Sequence, residues 1–263
     1  MGREAVLLVG HGSRDPQATR EFEQLVAAYR QRRPELVLAH AYLGLVRPAA
    51  EEAVAVLAGI AEAVLLVPLF LFSGGHLTHD LPRLVERLRR SFPTTRFAAA
   101  GGLGLHPAMV QLACLRAEAA LAAIPARAER AALLVVGHDS SEPDARSEFA
   151  RLVVLIREHR RFAAVAPHLL GRGRPDLEVA VTALAHGATE IVMVLPYLLF
   201  SGRLLSRLRN SVADLSPRFP GIKVVVAPHL GLHERVLEVL DARLAAALTA
   251  LRSSRDDGSP EAR

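Results

Sequence analysis

The chain repeats itself at a period that few architectures accommodate. Val9-Gly10-His11-Gly12-Ser13-Arg14-Asp15-Pro16 returns 127 residues later as Val136-Gly137-His138-Asp139-Ser140-Ser141-Glu142-Pro143. Val67-Pro68-Leu69-Phe70-Leu71-Phe72-Ser73-Gly74 returns at an offset of 128 as Leu195-Pro196-Tyr197-Leu198-Leu199-Phe200-Ser201-Gly202. Leu103-Gly104-Leu105-His106 returns at 127 as Leu230-Gly231-Leu232-His233, and Gly44 and Pro48 have counterparts in Gly171 and Pro175. Solenoid and propeller units are about 20–50 residues long, so this period marks a duplicated domain instead. The 263 residues divide into halves of roughly 130, each long enough for its own core.

Each half alternates short apolar runs with helical patterns. The first half predicts strands at 5–9, 36–41, 63–69 and 96–100, and helices at 16–32, 48–57, 78–91 and 107–122. Phe22, Leu25, Val26 and Tyr29 follow the i, i+3, i+4, i+7 spacing of a one-sided helix, and Pro48 and Pro107 suit first-turn positions. The second half repeats the order, with strands at 132–136, 163–167, 190–195 and 223–227, each followed by its helix. Continuous apolar strands joined by helices form a parallel sheet covered on both faces. The expected architecture is therefore α/β, with two tandem duplicated domains at 1–125 and 126–251. Each is a parallel four-stranded sheet flanked by helices, and a polar tail, 252–263, is expected to be disordered.

Composition removes several functional classes. A hydrophobic content of 51% excludes disorder, and the lone Cys114, read as a small buried hydrophobe, excludes a disulfide scaffold. The longest apolar stretch, 63–72, is broken by Pro68 and is far short of the roughly 20 residues of a membrane span. The first residues carry no signal-type apolar core, and Val6 stands where a myristoylation motif wants Ser or Thr. A cytoplasmic protein without a membrane partner is expected. The net charge is +5, but the only Lys is Lys223 and the Arg residues are interspersed with Ala, Leu and Glu. That pattern is a solvated helix surface rather than a nucleic-acid face, and it leaves a small polyanionic ligand open.

In open parallel sheets the ligand crevice lies at the carboxyl ends of the strands, and the distinctive segments fall there. His11 follows the first strand, Tyr42 to Pro48 the second, Ser73 to Asp80 the third and Gly101 to His106 the fourth. His11 is followed by Gly12, which allows a tight turn; a hydrogen-bonded turn histidine is the plainer alternative. His76, His79 and Asp80 have i, i+3, i+4 spacing, so one helical turn would present two imidazoles and a carboxylate. Alternatively Thr78 or Asp80 caps a helix and His79 faces solvent. Gly74 and Gly75 would bring the backbone before His76 close to a ligand. Neutral imidazoles suit a borderline divalent metal. The commoner motifs are missing: no His-Glu-x-x-His, no Cys pair, no Walker loop, no Gly-x-Ser-x-Gly elbow. The Gly171-Arg172-Gly173-Arg174 segment lacks the third Gly of a dinucleotide loop. A histidine phosphatase would want Arg before His11, where Gly10 stands.

Taken together, Gly10-His11-Gly12-Ser13-Arg14-Asp15-Pro16, Tyr42-Leu43-x-Leu45 with Pro48, and Pro68-Leu69-Phe70-Leu71-x-x-Gly74-Gly75-His76 with Asp80-Leu81-Pro82 resemble the sirohydrochlorin chelatases of the CbiX type, in their long two-repeat form. The resemblance spans residues 5 to about 250. It implies an ATP-independent enzyme of cobalamin and sirohaem biosynthesis that inserts Co²⁺, or else Fe²⁺ or Ni²⁺, into the polycarboxylate tetrapyrrole sirohydrochlorin, with no organic cofactor. By that resemblance His11 and His76 bind the metal and take up pyrrole protons, so that activity falls below about pH 6. Arg14, Tyr42, Ser73, Gly74, Gly75, His138 and Arg203 are expected in the tetrapyrrole cleft. Family members commonly carry Glu where this chain has Gly44, and Glu51, Glu52 or Asp80 are candidate replacements. Arg203 stands in the second half where the first has His76, so only the first half is expected to be catalytic, the second closing the cleft. The fused repeat makes a monomer sufficient, a homo-oligomer being the alternative. A non-catalytic metal or tetrapyrrole carrier is the competing reading, and a His-dependent phosphohydrolase the remote one.

Overall fold

The computed structural model describes residues 4–124, 128–159, 162–171 and 176–256. The elements of the first repeat are β1 (Glu4–Gly10), α1 (Pro16–Arg32), β2 (Val37–Tyr42), α2 (Ala50–Ala58), β3 (Ala63–Pro68), a π-helical turn (His76–Asp80) leading into α3 (Leu81–Ser91), β4 (Arg96–Ala99) and α4 (Pro107–Ala122). The second repeat follows with β5 (Ala131–His138), α5 (Pro143–Glu158), β6 (Ala164–Leu170), α6 (Leu177–Leu184), β7 (Ile191–Pro196), α7 (Arg203–Leu215), β8 (Lys223–Val226) and α8 (Glu234–Asp256). Two parallel four-stranded sheets result, ordered β2-β1-β3-β4 and β6-β5-β7-β8. This is the duplicated α/β architecture expected from the sequence.

The strands are apolar at every position because both faces of each sheet are covered. On one face of the first sheet Ala5, Leu7, Val9, Val64 and Leu66 pack with Val54 and Leu57 of α2 and with Leu81, Leu84 and Leu88 of α3. The intervening residues Val6, Leu8, Leu65 and Val67 are equally buried, and α1 turns Phe22, Leu25, Val26 and Tyr29 inward. Asp15 fixes where α1 begins: its carboxylate accepts the Gln17 N–H at 2.9 Å, and Pro16 occupies the first turn.

The repeats follow one another in sequence, yet compactness divides the chain differently. One unit comprises residues 4–104 with 236–256, the other 105–235. The helix that ends each repeat thus belongs with the other repeat's sheet. In the first unit, Asp241 of α8 accepts hydrogen bonds from Tyr29 Oη (3.1 Å), Arg32 Nε (2.8 Å) and Arg33 Nη1 (2.8 Å), and Arg243 donates to the Leu103 carbonyl at 2.9 Å. In the second unit Arg116 of α4 donates through Nε to the Leu230 carbonyl at 3.0 Å. Arg116 and Arg243 are counterparts at the repeat offset, as are Leu103 and Leu230. The same arginine therefore ties down the exchanged helix in each unit.

Several local expectations are corrected. Pro48 is not in a first helical turn: it follows a cis Arg47–Pro48 bond, and α2 starts at Ala50. The helix expected at 78–91 begins earlier, as the π-helical turn at His76. Helix α8 continues to Asp256, carried by the buried Leu251, so 252–256 are helical where a disordered tail was expected. Residues 257–263 and the Arg172-Gly173-Arg174 part of the glycine-rich segment lie outside the described residues. Among the described residues no helix is long and apolar enough to cross a membrane.

Candidate active site

Sheet topology explains why two histidines 65 positions apart in sequence become neighbours. β1 and β3 are adjacent and in register at Val9 and Pro68, and the Leu69 N–H continues the ladder to the Val9 carbonyl at 2.8 Å. Their carboxyl ends release the chain side by side, one into His11 and the other into the loop that reaches His76. The two imidazole centroids are 4.2 Å apart, with the ring planes inclined by 34°. The Phe70 ring also lies near His76, at 5.7 Å between centroids.

The loops beneath this pair are fixed by backbone contacts. Gly12 has φ +88°, a left-handed conformation that a side chain disfavours, and a Cβ there would overlap the Gly44 carbonyl oxygen. The Leu43 N–H bonds the Gly10 carbonyl at 2.9 Å, while the Leu103 N–H reaches the Phe70 carbonyl at 2.7 Å. Segments after all four strands of the first sheet therefore meet around His11 and His76, at the edge where parallel sheets bind ligands.

His76 is held from behind. Its Nδ1 lies 2.7 Å from Asp80 Oδ2. A carboxylate only accepts, so Nδ1 is the donor of this bond, and whenever the ring is neutral its lone pair falls on Nε2. The i, i+4 spacing serves this bond; Asp80 does not cap α3 with its side chain. Thr78 Oγ1 donates to the Gly74 carbonyl at 3.3 Å within the same turn. Gly75 has ordinary right-handed backbone, φ −51°, and the nearest atom to a Cβ there would be His79 Cδ2 at 3.9 Å.

The remaining sequence candidates are distributed unevenly. Arg14 is exposed on the loop before α1. Ser73 lines a cavity of about 520 Å³ between α3 and the end of β4, with Leu77, Thr78, Arg89 and Gly102. Tyr42 does not turn its ring to the edge: it is 3% exposed and packs on Phe22 at 4.8 Å between centroids. Burial, reinforced by the charge of Glu23, pushes its hydroxyl up to about 12. His138 and Arg203 belong to the second unit, where both are exposed, His138 ending β5 and Arg203 opening α7. Glu51 pairs with Arg87 at 3.2 Å, and Glu52 pairs with Arg47 and accepts the Ala49 N–H, both at 2.9 Å. Both are engaged on α2. Among the described residues no group of three or more His, Cys, Asp or Glu side chains is placed to hold a metal ion, so the centre is a histidine pair with a carboxylate behind one member.

The repeated Leu-Gly-Leu-His segments have a different use, which sequence reading did not assign. His106 Nδ1 accepts the Ala108 N–H at 3.2 Å and His233 Nδ1 accepts the Arg235 N–H at 3.1 Å. Each histidine caps a helix. Their position immediately before a helix, with Pro107 following His106, was the signal available.

Two adjacent imidazoles at a sheet's carboxyl edge can share a borderline divalent ion or receive protons from a ligand. Known proteins carry the same framework. The CbiX family model matches residues 5–120 and again 132–247. Over 242 residues the chain is 26% identical to a sirohydrochlorin cobaltochelatase of Priestia megaterium, covering 91% of this chain and 78% of that protein. It is also 26% identical over 235 residues to a sirohydrochlorin ferrochelatase of Bacillus subtilis, covering 89% and 88%. The solved structure of SirB from Bacillus subtilis with Fe³⁺ superposes with a TM-score of 0.82 at 25% identity, over 93% of this chain and 95% of that one. With both repeats matched, the chain belongs to the CbiX family and carries the family's domain twice.

Proposed function

We propose that this protein inserts a divalent metal ion, Co²⁺ in first place and Fe²⁺ or Ni²⁺ otherwise, into sirohydrochlorin in the cytoplasm without ATP. The observation that carries the reading is the juxtaposed pair His11 and His76, with Asp80 fixing the His76 tautomer. Relatives named for cobalt and for iron are equally similar to this chain, and membership of the CbiX family supports the substrate class.

The chemistry needs few groups. Metal insertion replaces two pyrrole N–H bonds with bonds to the metal and releases two protons. A neutral imidazole can hold the incoming ion and, once the ion has moved to the macrocycle, accept a proton in its place. His76 presents Nε2 for both tasks because its Nδ1–H is committed to Asp80. His11, beside it, supplies the second nitrogen donor. Arg14, exposed three positions after His11 in the sequence, suits a carboxylate of the pigment.

The test is a spectrophotometric assay of sirohydrochlorin with Co²⁺, Fe²⁺ and Ni²⁺ separately, comparing wild type with His11→Ala and His76→Ala. Multiple turnovers with one metal, lost in both variants, are expected. Turnover that survives both substitutions would move the centre elsewhere. Tight pigment binding without turnover would make the protein a carrier, with Gly44 as the natural cause.

A further inference from the structure

Resting on the chelatase reading, we infer that Leu45 is a substrate-positioning side chain whose aliphatic surface packs against an apolar face of the tetrapyrrole. Leu45 lies at the apex of the loop between β2 and α2. The Val46 N–H donates to the Gly44 carbonyl at 2.9 Å, closing a three-residue turn with φ +69° at Leu45. A γ-turn with positive φ at its centre is a strained conformation. Leucine has no conformational reason to occupy it, and among the described residues Leu45 is the only non-glycine with positive φ. The permissive residue, Gly44, stands one position earlier.

The strain is imposed from both ends of the loop. The Tyr42 N–H bonds the Pro48 carbonyl at 3.0 Å, the Leu43 N–H bonds the Gly10 carbonyl, and the Gly44 carbonyl seats against Gly12. The loop is thereby locked beside the Gly10-His11-Gly12 segment. Its apex side chain gains little from the fold, since Leu45 is 58% exposed. An aliphatic group held in costly backbone next to a reactive centre benefits a ligand rather than the core. The ligand must bring the centre of a flat conjugated ring to His11 and His76. An apolar contact beside them fixes where that ring rests.

Three variants of the full chain separate the possibilities. Leu45→Gly and Leu45→Asn both tolerate positive φ and remove the aliphatic surface, whereas Leu45→Met retains it. Metal-free sirohydrochlorin is titrated by fluorescence, melting temperatures are recorded, and the apparent KM for pigment and for Co²⁺ are measured separately. The Gly and Asn variants should melt no lower than wild type, yet bind pigment about tenfold more weakly. Their KM for Co²⁺ should be unchanged, and Met should bind within about twofold of wild type. Pigment binding by the Asn variant equal to wild type would overturn the assignment, as would weakening that appears only with a lower melting temperature. A change of oligomeric state in place of a change in pigment affinity would likewise overturn it, giving Leu45 to a protein contact. Failure of the wild type itself to bind pigment would instead remove the chelatase reading on which the inference rests.

Discussion

Asp80 Oδ2 accepts a hydrogen bond from His76 Nδ1 at 2.7 Å across four positions of a π-helical turn. The contact is half exposed on both sides, so its value lies in orientation rather than in stability. Asp80→Ala should leave the melting temperature unchanged, because the side chain caps no helix. It should raise the Co²⁺ requirement about 10–100-fold, the usual effect of removing a carboxylate behind a metal-binding imidazole. Pigment affinity measured without metal should hold. A variant with wild-type metal dependence would remove Asp80 from the mechanism.

Gly12 and Gly44 touch through backbone, and their tolerances should be opposite. Alanine at 12 must adopt φ near +88° and also displace the Gly44 carbonyl, at a cost of about 1–3 kcal/mol. At roughly 2–4 °C per kcal/mol for a chain of this size, Gly12→Ala should melt several degrees lower and lose activity through the displaced β2–α2 loop. A Cβ at Gly44 meets nothing within 4 Å, so Gly44→Ala should be thermally silent. Gly44→Glu should fold as well and, by adding a carboxylate beside the histidine loops, lower the metal concentration needed for turnover. Calorimetry and a metal titration read both effects.

Much of this was legible in the sequence, for identifiable reasons. Short apolar runs alternating with helical patterns signal a parallel sheet, and the offset of 127 between the two Gly-His motifs shows the duplication. His11 and His76 each stand out because they follow a strand at the carboxyl edge of a parallel sheet, whereas their pairing rests on the family resemblance of the segments that carry them. Three features were not legible. The exchange of α4 and α8 depends on which sheet a helix covers, and the periodicity of a helix does not name its partner. Tyr42 looked available because it follows β2, but the pleat turns its ring under α1 against Phe22. The γ-turn at Leu45 is imposed by contacts to Gly10 and Gly12, distant in sequence, and leucine carries no local signal for it.

The exchanged helix α8 is anchored to α1 through one carboxylate. Burial alone would raise the Asp241 carboxyl, but hydrogen bonds from Arg32, Arg33 and Tyr29 outweigh it and hold the group below the usual carboxylate range. Asp241→Ala leaves the buried Tyr29 hydroxyl and two guanidinium groups without this acceptor. With the partly exposed arginines discounted, the expected loss is about 1–3 kcal/mol. Asp241→Asn, which still accepts from Tyr29, should lose less. Urea unfolding with an unchanged m-value checks the order; a smaller loss for Ala than for Asn would contradict the anchor.

Three histidines away from the active centre are expected to contribute to the acid limb of stability. Burial lowers His168 on β6 most directly, partly offset by the charge of Asp176. Burial also lowers His40, and it lowers His233 together with the charges of Arg116 and Arg235. Above the ordinary imidazole value of about 6.5, these rings are neutral whether the chain is folded or not, and they contribute nothing to the pH dependence. Below it the unfolded chain takes up protons that the folded chain refuses, so stability falls as pH falls. Asp241, depressed in the opposite sense of charge, loses its contribution only in the lower carboxylate range, which keeps the two windows apart. Melting temperatures between pH 7.5 and 5.5 should therefore decline in the wild type. His168→Gln, which cannot titrate, should show a shallower decline whatever its absolute stability. Parallel curves for the two proteins would show that His168 takes no part in the transition.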